Sequence, residues 1–428
     1  MTELISKAKN LLKNEAVVGT AIVTVGTFVG SIVSYVVQIF LGRNLTVEEY
    51  GTFNPLLSLS VIVGILNNTL TTSIVRMVSE LKVKARFDTL TQIFIELSVF
   101  TLLLGVLFAS VFYIFRVQFS RFLNIPDVGI ITAFAVFAVT IFIRIVPFSY
   151  LQGLLRFKAY AFSAILMNGS RLAGAVAAVY LGYRVGGIYV SIGIFSMLAF
   201  FVLVLLLKKN FTSYEKSPLS DQYKRLLAFS GPVFLVQAGM ILLNNTDIVL
   251  VKHFFNELTA GLYSGLVTVG KVFLFFANTV AVVMFPQIAG AFAEGKNYLE
   301  KLKPFFYLQV LVIIGGFAVF SLFPGLIVRI MFPGSGYLPA VAYLPKFALF
   351  MGLYVMLNFL SLYLLAVDKV RVYLLFIPAV IVQALLINAF HSSISQVIDI
   401  NLLVSGVLLI GVLMYHYHHA RIHRSTSL

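Results

Sequence analysis

Gly51-Thr52-Phe53-Asn54-Pro55-Leu56-Leu57-Ser58, with Asn68 and Thr69 further on, forms a thin polar stripe in otherwise apolar sequence. The stripe returns 210 positions later as Gly261-Leu262-Tyr263-Ser264-Gly265-Leu266-Val267-Thr268, with Asn278 and Thr279. In each copy the polar positions (54, 58, 68 and 264, 268, 278) follow i, i+4, i+14, which lines one face of a helix. The echo predicts a duplicated chain. A polar face kept in both copies of an apolar helix predicts a cavity shared by two halves.

Composition sets the class around that stripe. The 428 residues are 60% hydrophobic and only 11% charged, which is a membrane composition. Cysteine and tryptophan are absent. No disulfide or cysteine-based metal site is therefore available, and interfacial anchoring falls to tyrosine and phenylalanine. The net charge of +15 reads as the sign of membrane topology, not of nucleic-acid binding.

Spans of about 20 apolar residues are expected at 17–41, 52–79, 92–115, 129–150, 157–183, 186–207, 226–252, 258–289, 305–331, 338–366, 372–391 and 396–415. The fold class expected is an all-α integral membrane protein, with twelve transmembrane helices in two pseudo-symmetric six-helix bundles. The N-terminal bundle covers 1–208, a cytoplasmic linker 209–225, and the C-terminal bundle 226–428. The apolar run after Lys7, Lys9 and Lys13 is span length without a clear small-residue cleavage site, so it reads as a retained first span. Twenty Lys and Arg lie on the side of the termini and six on the other, which places both termini in the cytoplasm and the protein in the cytoplasmic membrane.

Five basic residues remain inside spans, Arg76, Arg144, Arg171, Lys271 and Lys346, with two acids, Glu96 and Asp247. A charge at the bilayer centre costs about 2.5–3.5 kcal/mol on insertion scales, so each faces protein or water and marks function by default. Snorkelling from a helix end accounts for Arg76, Arg144 and Glu96. It fits Arg171 and Lys271 poorly, each nine or more residues from either end of its span.

The substrate-binding candidates are Arg171, Lys271, Arg144, Arg76, Asn68, Asn278, Ser264 and Thr268. For the serines and threonines, hydrogen-bonded packing between helices is the competing reading. A cationic lumen suits an anionic cargo, since Arg grips phosphate through paired hydrogen bonds and Lys acts as a point charge. Asp247, with Asn244 close by, reads in two ways: as a charge partner of Lys346, or as the site of a coupling ion, H+ or Na+. Prolines such as Pro147 and Pro232 permit bends within spans. Gly26–Gly30 and Gly261–Gly265 are G-x-x-x-G pairs that allow close helix approach. The P-loop-like run Gly290 to Asn297 ends in Asn and follows a membrane helix, so no ATP site is expected. The tail histidines, His416 to His423, read as a juxtamembrane anchor, and no cofactor or metal is expected.

Three runs carry a resemblance. Arg43-Asn44-Leu45-Thr46-Val47-Glu48-Glu49-Tyr50-Gly51 closes span 1. Asn245-Thr246-Asp247, Ala260 to Ser264, Lys271 and Phe285-Pro286-Gln287 follow in the second half. Together they resemble the O-antigen-type polysaccharide-biosynthesis flippases of the multidrug/oligosaccharidyl-lipid/polysaccharide (MOP) superfamily. That resemblance implies two six-helix bundles forming a V, with spans 1, 2, 7 and 8 lining the cavity. It further implies alternating access and a polyprenyl-diphosphate-linked glycan as cargo, handled by a monomer beside the glycosyltransferases or polymerase of its pathway. A cation-coupled multidrug (MATE-type) exporter is the alternative. Span 1 lacks the acid common in prokaryotic members of that group, and the intramembrane charge is net positive. Outward loops are short and poor in acids, which argues against an enzyme.

Overall fold

The computed structural model describes residues 15–83, 86–208, 220–294, 296–334, 336–367 and 369–425. Most of the expected linker and the basic N-terminus lie outside the described residues. The helices are α1 (Glu15–Asn44), α2 (Val47–Val83), α3 (Phe87–Ile114), α4 (Arg116–Phe122), α5 (Val128–Ile143), α6 (Ile145–Gly153), α7 (Phe157–Tyr180) and α8 (Val185–Leu207). They continue as α9 (Ser220–Leu243), α10 (Thr246–Phe254), α11 (Glu257–Ala293), α12 (Tyr298–Leu322), α13 (Pro324–Met331), α14 (Leu344–Ala366), α15 (Tyr373–Ala389) and α16 (Ile394–Ser425).

Among the described residues, ten helical stretches are long and apolar enough to cross a membrane. The other two expected spans correspond to the pair α9–α10, interrupted at Asn244–Asn245, and to α15, an apolar helix of 17 residues. The arrangement is consistent with twelve crossings. The repeated helices α2 and α11 have 37 residues each. At 1.5 Å per residue each runs to about 55 Å, well beyond a hydrocarbon core of about 30 Å.

The duplication is visible at the helix starts. Thr46 opens α2 with a capping box, in which the Thr46 N–H donates to Glu49 (3.0 Å) and the Glu49 N–H to Thr46 Oγ1 (3.2 Å). Asn256, its counterpart 210 positions on, opens α11 by accepting the Thr259 N–H at 2.8 Å. The run Arg43–Gly51 is thus, in part, a helix-start signal.

Two compact units emerge, and their boundary differs from the expected 1–208 and 226–428. One unit comprises Met1–Asn44 and Val63–Val233, the other Leu45–Ile62 and Phe234–Leu428. The reason is that α2 is one continuous helix whose first half packs with the second unit. In the first unit, α1 lies along α7, α7 on α8, and α5 between α3 and α8. Gly26 and Gly30 press against Ala161 and Ala164, so a side chain at either position of this G-x-x-x-G pair would collide with α7. In the second unit, α14 is central and packs on α11, α12 and α16.

Candidate functional site: an arginine cavity and a buried carboxylate

In the first unit, the expected span at 129–150 is broken at Arg144, between α5 and α6. Pro147 has no N–H to offer the Ile143 carbonyl, so the helix cannot run on unperturbed. Asn67 of α2 repairs part of the ladder by donating to the Ile141 carbonyl at 3.0 Å. The break lets Arg144 line a cavity of about 330 Å3 with Arg171 of α7. Thr27 and Ser31 of α1, Asn67, Asn68 and Thr71 of α2, and Asn168 of α7 complete its polar wall. The close α1–α7 packing at Gly26 and Gly30 brings Thr27 and Ser31 into place.

The electrostatics of this cavity are lopsided. Its wall contains two guanidinium groups and no carboxylate. The two are close enough for their charges to repel. Among the described residues neither has an ion-pair partner, and Arg171 Nε is buried with no hydrogen-bond partner. The wall of this cavity is therefore net positive, which favours an anion over a cation. Three sequence candidates, Arg144, Arg171 and Asn68, meet here. Asn168, Asn67, Thr27 and Ser31 belong to the same wall but were not on the candidate list. Asn168, three residues before Arg171 on one helix face, carried a usable signal. The others are polar residues of a kind scattered through every span.

In the second unit the break falls between α9 and α10. Asn245 (φ −135°, ψ −12°) leaves the helix and returns its side-chain N–H to the Ile241 carbonyl at 2.8 Å. Asp247 then stands in the first turn of α10, where the helix dipole favours a carboxylate. Tyr263 of α11 donates its hydroxyl to Asp247 Oδ2 (2.5 Å), and Asn401 of α16 donates to the same oxygen (3.0 Å). The Ile248 N–H donates to Oδ1 at 2.9 Å. Gln383 of α15 ties the cluster back to the break, donating to Asn401 Oδ1 (2.8 Å) and to the Leu243 carbonyl (3.1 Å). Asp247, Tyr263, Asn401 and Gln383 are all buried. Lys271 is near enough to Asp247 for their charges to interact.

This geometry corrects the pairing of Asp247 with Lys346. Lys346 instead reaches Asp399 at 2.6 Å and Ser395 Oγ at 2.7 Å, both on α16. Asp247 is turned inward and already holds its own donors. Asn244 lies at the helix break, but Asn245 makes the capping bond. Tyr263, Gln383 and Asn401 complete the site, and only Tyr263 stood out in the sequence, as part of the repeated stripe.

The stripe also finds a different use. Within the second unit, Asn54 donates to the Ser264 carbonyl (3.1 Å) and to Thr268 Oγ1 (3.2 Å), while the Tyr50 hydroxyl lies 2.7 Å from Thr268 Oγ1. Gly51 meets Gly261, and a Cβ on Gly261 would overlap the Val47 carbonyl. Ser264 and Thr268 are therefore buried in a helix–helix seam, which corrects the expectation that they line a cavity. The pattern marks one face of a helix, and the first half of that face packs against its own copy, while Asn68 faces the arginine cavity. Asn278 holds Asn358 at 2.9 Å. Arg76 is largely exposed and bridges Glu80 at 3.1 Å.

The chain is thus a multi-span helical protein with a charged internal cavity and interrupted helices. The sequence matches the model of the polysaccharide biosynthesis protein family over residues 16–292, and the chain belongs to that family. Its fold is that of the MOP superfamily. The lipid II flippase MurJ, in an inward closed conformation, is 14% identical over 92% of this chain and 87% of its own, with a TM-score of 0.73. An outward-facing multidrug resistance MATE family transporter is 13% identical over 97% of this chain and 98% of its own, with a TM-score of 0.66. A MOP transporter from Pyrococcus furiosus, described by a reversed polarity of its binding pocket, is 14% identical over 93% of this chain and 95% of its own, with a TM-score of 0.58. No curated protein matches the chain. The solved structures matched are a flippase and transporters.

Proposed function

We propose that the protein flips a lipid-diphosphate-linked oligosaccharide across the cytoplasmic membrane by alternating access, for assembly of a cell-surface polysaccharide or glycan. The observation that carries this reading is the cavity in which Arg144 and Arg171 stand without a counter-charge. A diphosphate supplies the missing anion and accepts paired hydrogen bonds from guanidinium. Asn68, Asn168, Thr27 and Ser31 offer the hydroxyl and amide chemistry that suits a sugar. Both termini face the cytoplasm in this reading, where the basic residues concentrate. Asp247 takes up a coupling H+ or Na+, and Lys271, beside it, senses that charge. The chain works as a monomer next to the glycosyltransferases or polymerase that make and use its cargo. Export of hydrophobic cations fits less well, because a cavity with two cations and no acid repels them.

The test is translocation of a lipid-diphosphate-linked sugar in proteoliposomes, comparing wild type with Arg171→Ala and Lys271→Ala. Loss in Arg171→Ala is expected. Wild-type rates in that variant would end the diphosphate assignment, and wild-type rates in Lys271→Ala would end the role given to Lys271.

A further inference from the structure

A second cavity, of about 370 Å3, lies in the second unit between α11, α12 and α13. Its wall is apolar throughout and includes Phe273, Phe276, Gly315, Val319, Phe320 and Ile327. Two adjacent glycines shape it. Gly316 sits against the Phe273 ring, which a Cβ there would overlap, and so lets α12 approach α11. A Cβ on Gly315 would meet nothing within 4 Å, so this glycine leaves the floor of the groove open. Phe276 and Val319 are exposed at its flank, so the groove opens to the outside of the helix pair.

The α13 helix closes one end of the groove. Pro324 starts it, and of its eight residues Val328 and Met331 are buried while Leu326, Arg329 and Ile330 are exposed. One arginine beside exposed apolar side chains is a composition suited to a membrane interface. Arg329 makes no ion pair among the described residues, and no Asp or Glu occurs between Lys303 and Lys346. The end of the groove is thus apolar inside and cationic outside, which complements an amphiphile with one apolar chain and an anionic head.

We propose that this groove holds the prenyl chain of the lipid carrier once its head has left the arginine cavity, with the phosphate then near Arg329. The proposal rests on the flippase reading, in which α13 lies at the outer face and the groove receives the tail in the outer half of the bilayer. Three phenylalanine rings beside an open glycine floor suit a stiff, methyl-branched chain with double bonds, whose flat units pack on ring faces.

The experiment is binding of radiolabelled polyprenyl phosphate to the full chain in phosphatidylcholine nanodiscs, with inorganic pyrophosphate binding measured in parallel. A Cβ at position 315 meets no atom within 4 Å, so Gly315→Leu puts a side chain into the groove without displacing the α12 backbone. Arg329→Gln removes only an exposed charge and serves as the second variant should the first fail to fold. Gly315→Leu is expected to weaken polyprenyl phosphate binding about tenfold and Arg329→Gln about threefold, with pyrophosphate binding unchanged in both. Unchanged prenyl binding in either folded variant overturns the proposal. So does displacement of the probe by phosphatidylglycerol as effective as that by unlabelled polyprenyl phosphate, which would make the groove an ordinary lipid contact. Binding is read without transport, so a failure of the flippase reading appears separately, as absent translocation with intact prenyl binding.

Discussion

Arg144 and Asp247 both sit where a membrane helix is interrupted, yet the two surroundings are opposites. Around Arg144 the first unit gathers a second arginine and neutral polar groups, and supplies no carboxylate. Around Asp247 the second unit supplies a tyrosine, an asparagine and a backbone N–H that already donate to the carboxylate. A break in a helix therefore does not by itself define a site for an anion. What separates the two is whether the fold meets the charge with its own partners.

The sharpest way to break this comparison is to remove the charges. The double variant Arg144→Gln/Arg171→Gln should lower translocation at least about 100-fold, because each lost charge-assisted contact is worth about 1.5–3 kcal/mol. Its melting temperature should hold or rise, since two like charges facing one cavity without an ion-pair partner are gone. A fall in melting temperature would mean that the arginines hold the fold together. Asp247→Ala should do the reverse to stability. It strands the Tyr263 hydroxyl and an Asn401 N–H, at about 1–3 kcal/mol each, and thermal melting in detergent should register the loss. Unchanged melting would show that these donors find other partners.

Smaller effects test the seam. Gly261→Val forces a side chain onto the Val47 backbone and should cost about 1–3 kcal/mol by overpacking, again read by melting. Ser264→Ala should change stability by less than about 0.5 kcal/mol, because its hydroxyl has no partner there. If Ser264→Ala instead slows translocation with stability intact, Ser264 touches cargo in another conformation.

Much of this was legible in the sequence, and the limits have physical causes. Hydropathy alone separates the helices, and Pro147 marks the break that exposes Arg144. Arg171, deep within its span, could be singled out from position alone, since a charge there needs water or protein. The partners of Asp247 were not legible. Tyr263, Gln383 and Asn401 come from three different helices, and no local spacing encodes their meeting. The stripe shows a deeper limit. Period 3.6 reports that Asn54, Ser58, Ser264 and Thr268 share faces, but a face toward water and a face toward another polar face have the same pattern. The two copies also differ where the charge lies. Val37 and Phe53 stand 210 positions before Asp247 and Tyr263, so the second copy carries the acid and its tyrosine donor together.

The glycines of the seam carry one more consequence. Gly51 and Gly261 are counterparts in the repeat, and they are also neighbours in space. Most duplicated positions drift apart freely, since each copy sits in its own surroundings. Here a methyl group on Gly51 would land on the Gly261 backbone, and one on Gly261 would land on the Val47 carbonyl, four residues before Gly51. Neither position can gain a side chain without pushing the two helices apart, so the same close approach holds both copies to glycine at this point of the repeat.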